Sequence, residues 1–89
     1  MAEREPRLSQ ASLKVFRALL NEPSGRLSGA QIHMQTGVMS GTLYPILYRF
    51  EQAGWLASEW EDMPKPRRRL YHMTLLGQQR AKAALDSLS

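Results

Sequence analysis

Two short helical patterns joined by a glycine turn are the feature that most constrains how this chain can fold. Ser28 and Gln31 form a capping box, in which the serine hydroxyl and the glutamine side chain each satisfy a free backbone amide. The helix that they begin is predicted to run to about Gln35, and Gly37 stands where a left-handed residue usually ends a helix. A further helix is predicted over residues 41–53. Such a pair predicts a helix-turn-helix.

The predicted helix over residues 41–53 has an apolar side and a mostly uncharged outward side. The inward residues are Leu43, Ile46, Leu47 and Phe50. The outward residues are Gly41, Tyr44, Pro45, Tyr48, Arg49 and Gln52. Pro45 falls in or just after the first turn, where its missing amide costs little. Tyrosines on this side can offer hydroxyls to phosphates and rings to thymine methyl groups. The alternatives are that both tyrosines pack beneath a neighbouring hairpin and that Arg49 pairs with an acid.

The next segment is predicted to be a hairpin, which would form a wing beside the helix pair. Residues 55–61 have the alternation of a strand, residues 62–66 contain two prolines, and residues 67–73 form the return strand. Trp55 and Trp60 lie on opposite faces, because five positions along a strand invert the side. We expect at least one in the core and favour core packing for both; the alternative for the other is to cover the domain–dimer junction or to contribute to a small-molecule pocket.

A cluster of cations occupies the predicted tip of this hairpin, with four positive charges in five residues. They are Lys65, Arg67, Arg68 and Arg69. Cations on an exposed loop suit phosphate contact, where released counterions supply affinity without sequence information. The alternative is a solvated loop kept basic for solubility. The net charge of +4 also favours a polyanion, although charge alone does not separate nucleic acid from an anionic membrane.

The first and last predicted helices carry the apolar surfaces that could join two copies of the chain. The first runs from Ser9 to about Asn21 and shows two apolar stripes, where a surface helix usually buries one. The second stripe packs either on another copy or on the last helix of the same chain, and this feature does not separate the two. Thr74 can cap the last helix, Leu75 to about Leu88. The predicted dimer contacts are Leu8, Ala11, Val15, Leu19, Ala81, Ala84, Leu85 and Leu88.

Together these patterns predict an α+β fold that is mainly α. Residues 8–74 form a winged helix-turn-helix of three helices and a two-stranded wing, and residues 75–89 form a C-terminal dimerisation helix. Residues 1–7 are predicted to be a flexible arm.

Several classes of function are excluded by the residue inventory. The chain has no cysteine, so disulfides, thiolate catalysis and cysteine-ligated zinc are impossible. His33 and His72 have no spacing to acids that makes a metal site, and no glycine-rich phosphate loop follows a strand. Glu59 and Glu61 are predicted to form a solvated pair on one strand face. We therefore expect no cofactor, no metal and no enzymatic activity.

Targeting signals are also missing from the pattern. The first seven residues are charged and contain no apolar run of the kind found in a signal peptide. No segment approaches the ~20 apolar residues needed to cross a bilayer. We expect a cytoplasmic protein with no membrane partner.

A longer series of residues at fixed spacing runs from the third helix to the start of the last. The series is Ser40-Gly41-Thr42-Leu43-Tyr44-Pro45, Leu47, Arg49, Glu51, Gly54, Ser58-Glu59-Trp60-Glu61, Pro66-Arg67-Arg68-Arg69, Tyr71, Thr74 and Gly77. In order and spacing it resembles the PadR family of bacterial transcriptional regulators over about residues 26–77.

This resemblance implies a homodimeric winged helix that binds double-stranded DNA. It implies that the helix over residues 41–53 enters the major groove and that the basic wing reaches phosphates or the minor groove. Members of the family usually repress transcription, and several respond to small molecules such as phenolic acids or drugs. The predicted DNA contacts are Ser40, Gly41, Thr42, Tyr44, Pro45, Tyr48, Arg49, Lys65, Arg67, Arg68 and Arg69.

The chain departs from the family pattern after the wing. Members commonly carry a longer C-terminal region that builds the dimer and, in some, the effector pocket. Here one short helix follows, and its apolar stripe has no aromatic residue that could stack on a planar drug. We expect weak dimerisation, and this stripe argues against a small-molecule effector.

The sequence thus predicts a sequence-specific DNA-binding regulator, a repressor that acts as a homodimer. Two reading helices in a symmetric dimer meet major grooves one helical turn (~34 Å) apart, so the expected operator is an inverted repeat. The alternative is a winged-helix interaction module that binds another regulator or a polymerase. The exposed tyrosines and the weakly charged third helix favour that alternative.

Overall fold

The computed structural model describes residues 8–62 and 67–87. Its elements in chain order are α1 (Gln10–Asn21), β1 (Leu27–Ser28), α2 (Gly29–Thr36), α3 (Ser40–Gln52), β2 (Leu56–Trp60), β3 (Arg69–Met73) and α4 (Leu75–Asp86). The predicted arm over residues 1–7, together with Lys65 and Leu88, lies outside the described residues.

Side-chain caps fix where the first two helices begin. Ser9 and Ser12 form a capping box at α1. The Ser12 amide donates to the Ser9 hydroxyl at 3.1 Å, and the Ser9 amide donates to the Ser12 hydroxyl at 2.8 Å. Ser28 and Gln31 form the box that the sequence predicts at α2, at 3.1 and 2.8 Å. Gly37 ends α2 with φ of +76°, a conformation that glycine adopts without strain.

The strands form one antiparallel sheet in the order β1-β3-β2. The hairpin register pairs Leu56 with Met73 and Trp60 with Arg69. The third strand was not predicted, because two residues are too short to show a period of two and Ser28 already serves as the cap of α2. β1 adds a third strand to the predicted two-stranded wing. The predicted fold class is confirmed, because the chain forms four helices and a small sheet in a mainly α winged helix.

Three rings hold the first and third helices to the start of the hairpin. The Phe16 centroid lies 4.7 Å from that of Phe50 and 5.5 Å from that of Trp55, and Phe50 and Trp55 are 4.9 Å apart. Edge-to-face and tilted ring packing of this kind adds to the stabilisation that burial provides. Trp55 is 3% exposed, as predicted, but the prediction for Trp60 is wrong, because it is 58% exposed.

A close helix–strand contact fixes the position of α4. The Thr74 hydroxyl accepts a hydrogen bond from the Gly77 amide at 3.0 Å and donates to the Gly54 carbonyl at 2.6 Å. A Cβ atom at Gly77 would overlap the carbonyl of Trp55, so only glycine allows α4 to lie this close to the strand.

Three of the predicted dimer contacts are core residues of a single chain. Val15 and Ala81 are fully buried and Leu19 is 2% exposed, and α1 contacts α4 within the protomer. These side chains are therefore not free to meet a second copy, and the alternative of packing within one chain applies to them. Leu8 is exposed, and Ala11, Ala84 and Leu85 are half-buried, so a dimer contact through these residues stays a prediction.

Candidate nucleic-acid interface

The amphipathic pattern of α3 places one complete face in solvent. The four predicted inward residues are at most 2% exposed. The exposed residues on the other side are Ser40, Gly41, Thr42, Tyr44, Pro45, Tyr48, Arg49 and Gln52. We call this set the outward face of α3. Every predicted contact that belongs to the helix lies on it.

Pro45 and the residues around the start of α3 leave backbone groups accessible. Pro45 lies inside the helix as its sixth residue, so its ring nitrogen cannot donate to the Gly41 carbonyl. Met39 precedes the helix without a side-chain cap, and its carbonyl accepts from the Thr42 and Leu43 amides at 2.9 and 2.8 Å. The amides of the first helical residues are thus not satisfied by a capping side chain.

The two tyrosines on this face are not buried beneath the hairpin. Tyr48 is 68% exposed, and Tyr44, one turn earlier, is 49% exposed. The Tyr44 phenol rests on the first residue of α2, where a Cβ atom on Gly29 would overlap its hydroxyl oxygen. The first turn of α2 therefore supports Tyr44 from behind, while Tyr48 projects freely.

Arg49 is the cation of this face, and it is exposed. Within residues 8–62 and 67–87 it forms no ion pair with an acid. Of the two alternatives for Arg49, the intramolecular pair is therefore not present.

Arg68 is held by a carboxylate at the tip end of the hairpin strands. Its Nε and Nη2 atoms donate to the two oxygens of Glu61 at 3.0 and 2.6 Å, which is a bidentate pair. The hydrogen bond from Arg68 lowers the pKa of Glu61 and raises the pKa of Arg68. Glu59 pairs separately with Arg26 at 3.1 Å. The prediction that Glu59 and Glu61 form a solvated pair is wrong, because each binds a different arginine.

Arg69 belongs to a network that joins the hairpin to α3. Its Nε atom donates to the Ser58 hydroxyl at 2.8 Å, and that hydroxyl donates to the Glu51 carboxylate at 2.7 Å. The Arg69 Nη2 atom also lies 3.6 Å from the same carboxylate. This Glu51–Ser58–Arg69 network links β3, β2 and α3, and it fixes the wing beside the outward face.

The three arginines of the run therefore differ, although the sequence gives no sign of it. Arg68 and Arg69 are bound to carboxylates, whereas Arg67 is exposed and has no ion-pair partner in the described part of the chain. A pairing of this kind depends on the hairpin register and on α3, which are contacts between distant parts of the sequence.

A groove separates the outward face of α3 from the wing. It has a volume of about 350 Å³, and we call it the Tyr44–Trp60 groove. Its lining residues are Ser28, Gly29, Ala30, Tyr44, Trp60, Arg68, Arg69 and Tyr71. Tyr71 is 8% exposed, and burial raises the pKa of its phenol. Sequence reasoning missed Trp60 as a surface residue, although its position at the strand end next to the basic tip was a usable signal.

Other kinds of site find no support in the described residues. Across residues 8–62 and 67–87, no three His, Asp or Glu side chains come together in a way that could hold a metal ion. None of the helices in this part of the chain combines the length and apolar character needed to span a membrane.

The comparison with known families decides the class of the protein. The pattern that defines the PadR-like family of transcriptional regulators matches residues 28–83, which is more than half of the chain. The chain belongs to this family. The resemblance stated from the sequence is thereby confirmed, and the matched range contains α2, α3, the hairpin and most of α4.

Solved structures show the same fold. BpsR of Bordetella bronchiseptica, whose DNA binding is regulated by 6-hydroxynicotinic acid, is 18% identical with a TM-score of 0.79, over 90% of this chain and 55% of BpsR. AbfR of Staphylococcus epidermidis is 27% identical with a TM-score of 0.76, over 92% of this chain and 54% of AbfR. A PadR family regulator from Eggerthella lenta is 23% identical with a TM-score of 0.74, over 86% of this chain and 70% of that regulator.

The chain therefore spans little more than half the length of BpsR and AbfR. Among curated proteins, no sequence matches it.

Proposed function

We propose that this PadR-like regulator binds double-stranded DNA with sequence specificity, as a homodimer that represses transcription from an inverted-repeat operator. The observation that carries the proposal is the placement of the outward face of α3 beside the arginine wing, joined by the Glu51–Ser58–Arg69 network. Both surfaces can then contact one duplex. We further propose that it acts in the cytoplasm, by binding rather than by catalysis.

The two surfaces would make different kinds of contact with DNA. The outward face of α3 offers hydroxyls, rings and a single cation, a set suited to base edges and thymine methyl groups in the major groove. Arg67 pairs with no acid among residues 8–62 and 67–87, and its exposed guanidinium suits a phosphate contact that is independent of sequence. BpsR, which shares the fold, also binds DNA.

The dimer would form on the side of α1 and α4. Leu8, Leu75 and Leu76 are exposed apolar residues on these segments, and Ala84 and Leu85 are half-buried. A symmetric pair joined there would present its reading helices to one face of the duplex, one helical turn (~34 Å) apart.

The test is selection of genomic fragments by the protein, followed by anisotropy titrations on a selected fragment and on a random duplex at moderate salt. We expect enrichment of inverted repeats and an operator affinity at least about a thousandfold above that for random DNA. No binding at micromolar concentration, by a sample that is folded and dimeric, would contradict the proposal. That outcome would favour a module that binds another regulator or a polymerase.

A further inference from the structure

We propose that the Tyr44–Trp60 groove is a subsite for one sugar–phosphate unit of the DNA backbone, with the deoxyribose against the Trp60 indole and the phosphate at the Arg69 guanidinium. This proposal rests on the proposed function and adds Trp60, which the sequence had placed in the core, to the DNA-contacting residues.

The exposure of Trp60 is the first observation. More than half of its surface faces solvent at the end of β2, whereas Trp55, just before the same strand, is buried. A large indole left exposed on a polar hairpin is unusual, and such exposed apolar surface often marks an interaction site. The Arg69 guanidinium lies 5.6 Å from the Trp60 ring centroid, within cation–π range, so the indole and a cation face the same place.

The shape of the groove is the second observation. Rings from two different elements, Tyr44 on α3 and Trp60 on β2, line its sides, and the start of α2 forms its floor. Gly29 allows Tyr44 to lie against that floor. The volume of about 350 Å³ is at the lower end of the range for small-ligand sites, and it leaves room for a single backbone unit.

The chemistry of the lining matches the DNA backbone, in which an apolar sugar alternates with an anionic phosphate. An aromatic face suits the sugar, and guanidinium groups suit the phosphate. The ion pairs do not exhaust these donors, because a guanidinium carries five N–H groups. Arg69 uses Nε toward Ser58, and its Nη2 atom lies 3.6 Å from the Glu51 carboxylate. The Glu51–Ser58–Arg69 network thus orients the Arg69 guanidinium and leaves its other N–H groups for a phosphate, whereas the Arg68 guanidinium is bound to Glu61.

The subsite has a distinct energetic signature. A sugar on an indole is an apolar contact, so its loss weakens binding to every sequence and leaves the salt dependence unchanged. We expect Trp60→Ala to reduce affinity for operator and random DNA alike by about fivefold, as for roughly 40 Å² of apolar surface left in water. Its slope of log K against log salt should match that of the wild type.

The direct experiment uses tryptophan fluorescence, because the chain has two tryptophans. Trp55→Phe leaves Trp60 as the sole tryptophan, which is excited selectively over the three tyrosines, and acrylamide quenching is measured at one protein concentration with and without a fluorescein-labelled duplex. Anisotropy of the label reports binding in the same sample. We expect the quenching constant of Trp60 to fall at least about twofold on DNA binding. Trp60→Phe is the matched control, because buried Trp55 should quench weakly in both states.

The outcomes separate this subsite from the proposed function. A rise in anisotropy with unchanged quenching of Trp60 would overturn the subsite and leave DNA binding intact. No rise in anisotropy would overturn both. Trp55 packs on Phe16 and Phe50, so the Trp55→Phe variant is first checked by circular dichroism. If it does not fold, 5-fluorotryptophan NMR of the wild-type chain gives the same answer, since the Trp60 resonance should shift on DNA binding and that of Trp55 should not.

Discussion

The outward face of α3 and the wing lie side by side, but their charges are organised in different ways. On the helix, the exposed residues are mostly uncharged, and Arg49 makes no ion pair with the described acids. On the wing, Arg67, Arg68 and Arg69 are adjacent, but two of them are bound to carboxylates. A count of cations along the sequence therefore overstates how many of the described wing cations are unpaired.

This difference indicates what the ion pairs of Arg68 and Arg69 contribute to the structure. Exposed pairs of this kind contribute little to stability, so folding alone does not explain two of them on one hairpin. Their effect is geometric: the Glu51–Ser58–Arg69 network fixes the distance between the wing and α3, and Glu61 orients Arg68. This arrangement fits the proposal that the helix discriminates between sequences and that the wing sets position, with Arg67 as the cation that pairs with no acid among the described wing residues.

The largest effect is expected at Tyr48, which tests whether the helix discriminates. Tyr48→Ala should lower the ratio of operator to random affinity by about tenfold or more, because a base contact of this kind is worth about 1–3 kcal/mol. The measurement is an anisotropy titration on both duplexes. Equal losses on operator and random DNA would show that Tyr48 does not read sequence, and Gln52→Ala, at the end of the same face, is the comparison variant.

A second prediction removes the support behind Tyr44. Gly29→Ala puts a Cβ where the Tyr44 hydroxyl lies, so the half-exposed ring must turn away, at little cost in stability. Operator affinity should fall by about tenfold, of the order expected for one lost contact to a base. The check is a double-mutant cycle of operator affinity with Tyr44→Ala, in which Gly29→Ala should have no further effect once the ring is absent. Purely additive losses of operator affinity in the double variant would contradict the contact.

Arg67, which pairs with no acid in the described part of the wing, gives the third prediction. Arg67→Gln should reduce affinity for operator and random DNA equally, by about three- to tenfold, and lower the slope of log K against log salt by about one. Arg68→Gln should change both quantities less, because Glu61 already neutralises that charge. Lys82→Gln, at an exposed position of α4, is the matched charge control. The division between the arginines is wrong if Arg67→Gln and Arg68→Gln give the same slope.

The smallest expected change in DNA affinity is an increase, and it comes from a substitution at Glu61. Glu61→Gln removes the carboxylate that binds Arg68, so affinity for random DNA should rise by about two- to threefold and the salt slope should steepen. The pKa of Glu61 is lowered in the folded protein, so its pair with Arg68 is complete above the unfolded pKa and is lost only as pH falls through the lower folded value. The difference between variant and wild type should therefore be constant from pH 5 to pH 8, and a decline within that window would contradict the assignment.

How much of this could be read from the sequence depends on the range of the interactions. The two sides of α3 follow from a local period, and the capping box of Ser28 and Gln31 follows from a spacing of three, so both were predictable. The exposure of Trp60 does not follow from alternation, which gives the face of a strand and not how far its end extends beyond the core; only its position beside the basic tip pointed to it.

The remaining differences come from contacts between distant segments. Val15, Leu19 and Ala81 are buried because α1 and α4 pack within one chain, and the apolar stripe on α1 was equally consistent with a second copy. The pairing of Arg69 with Glu51 joins residues 18 positions apart on two elements, which no local pattern encodes.

Chemical footprinting on a selected genomic fragment tests most directly whether α3 and the wing contact one duplex together. Dimethyl sulfate reports access to guanine N7 in the major groove, and hydroxyl radicals report access to the sugar–phosphate backbone. We predict protected major-groove positions with protected backbone beside them in each half-site, and Arg67→Gln should weaken only the backbone protection. Backbone protection without any major-groove protection, or the two at unrelated positions, would contradict the account.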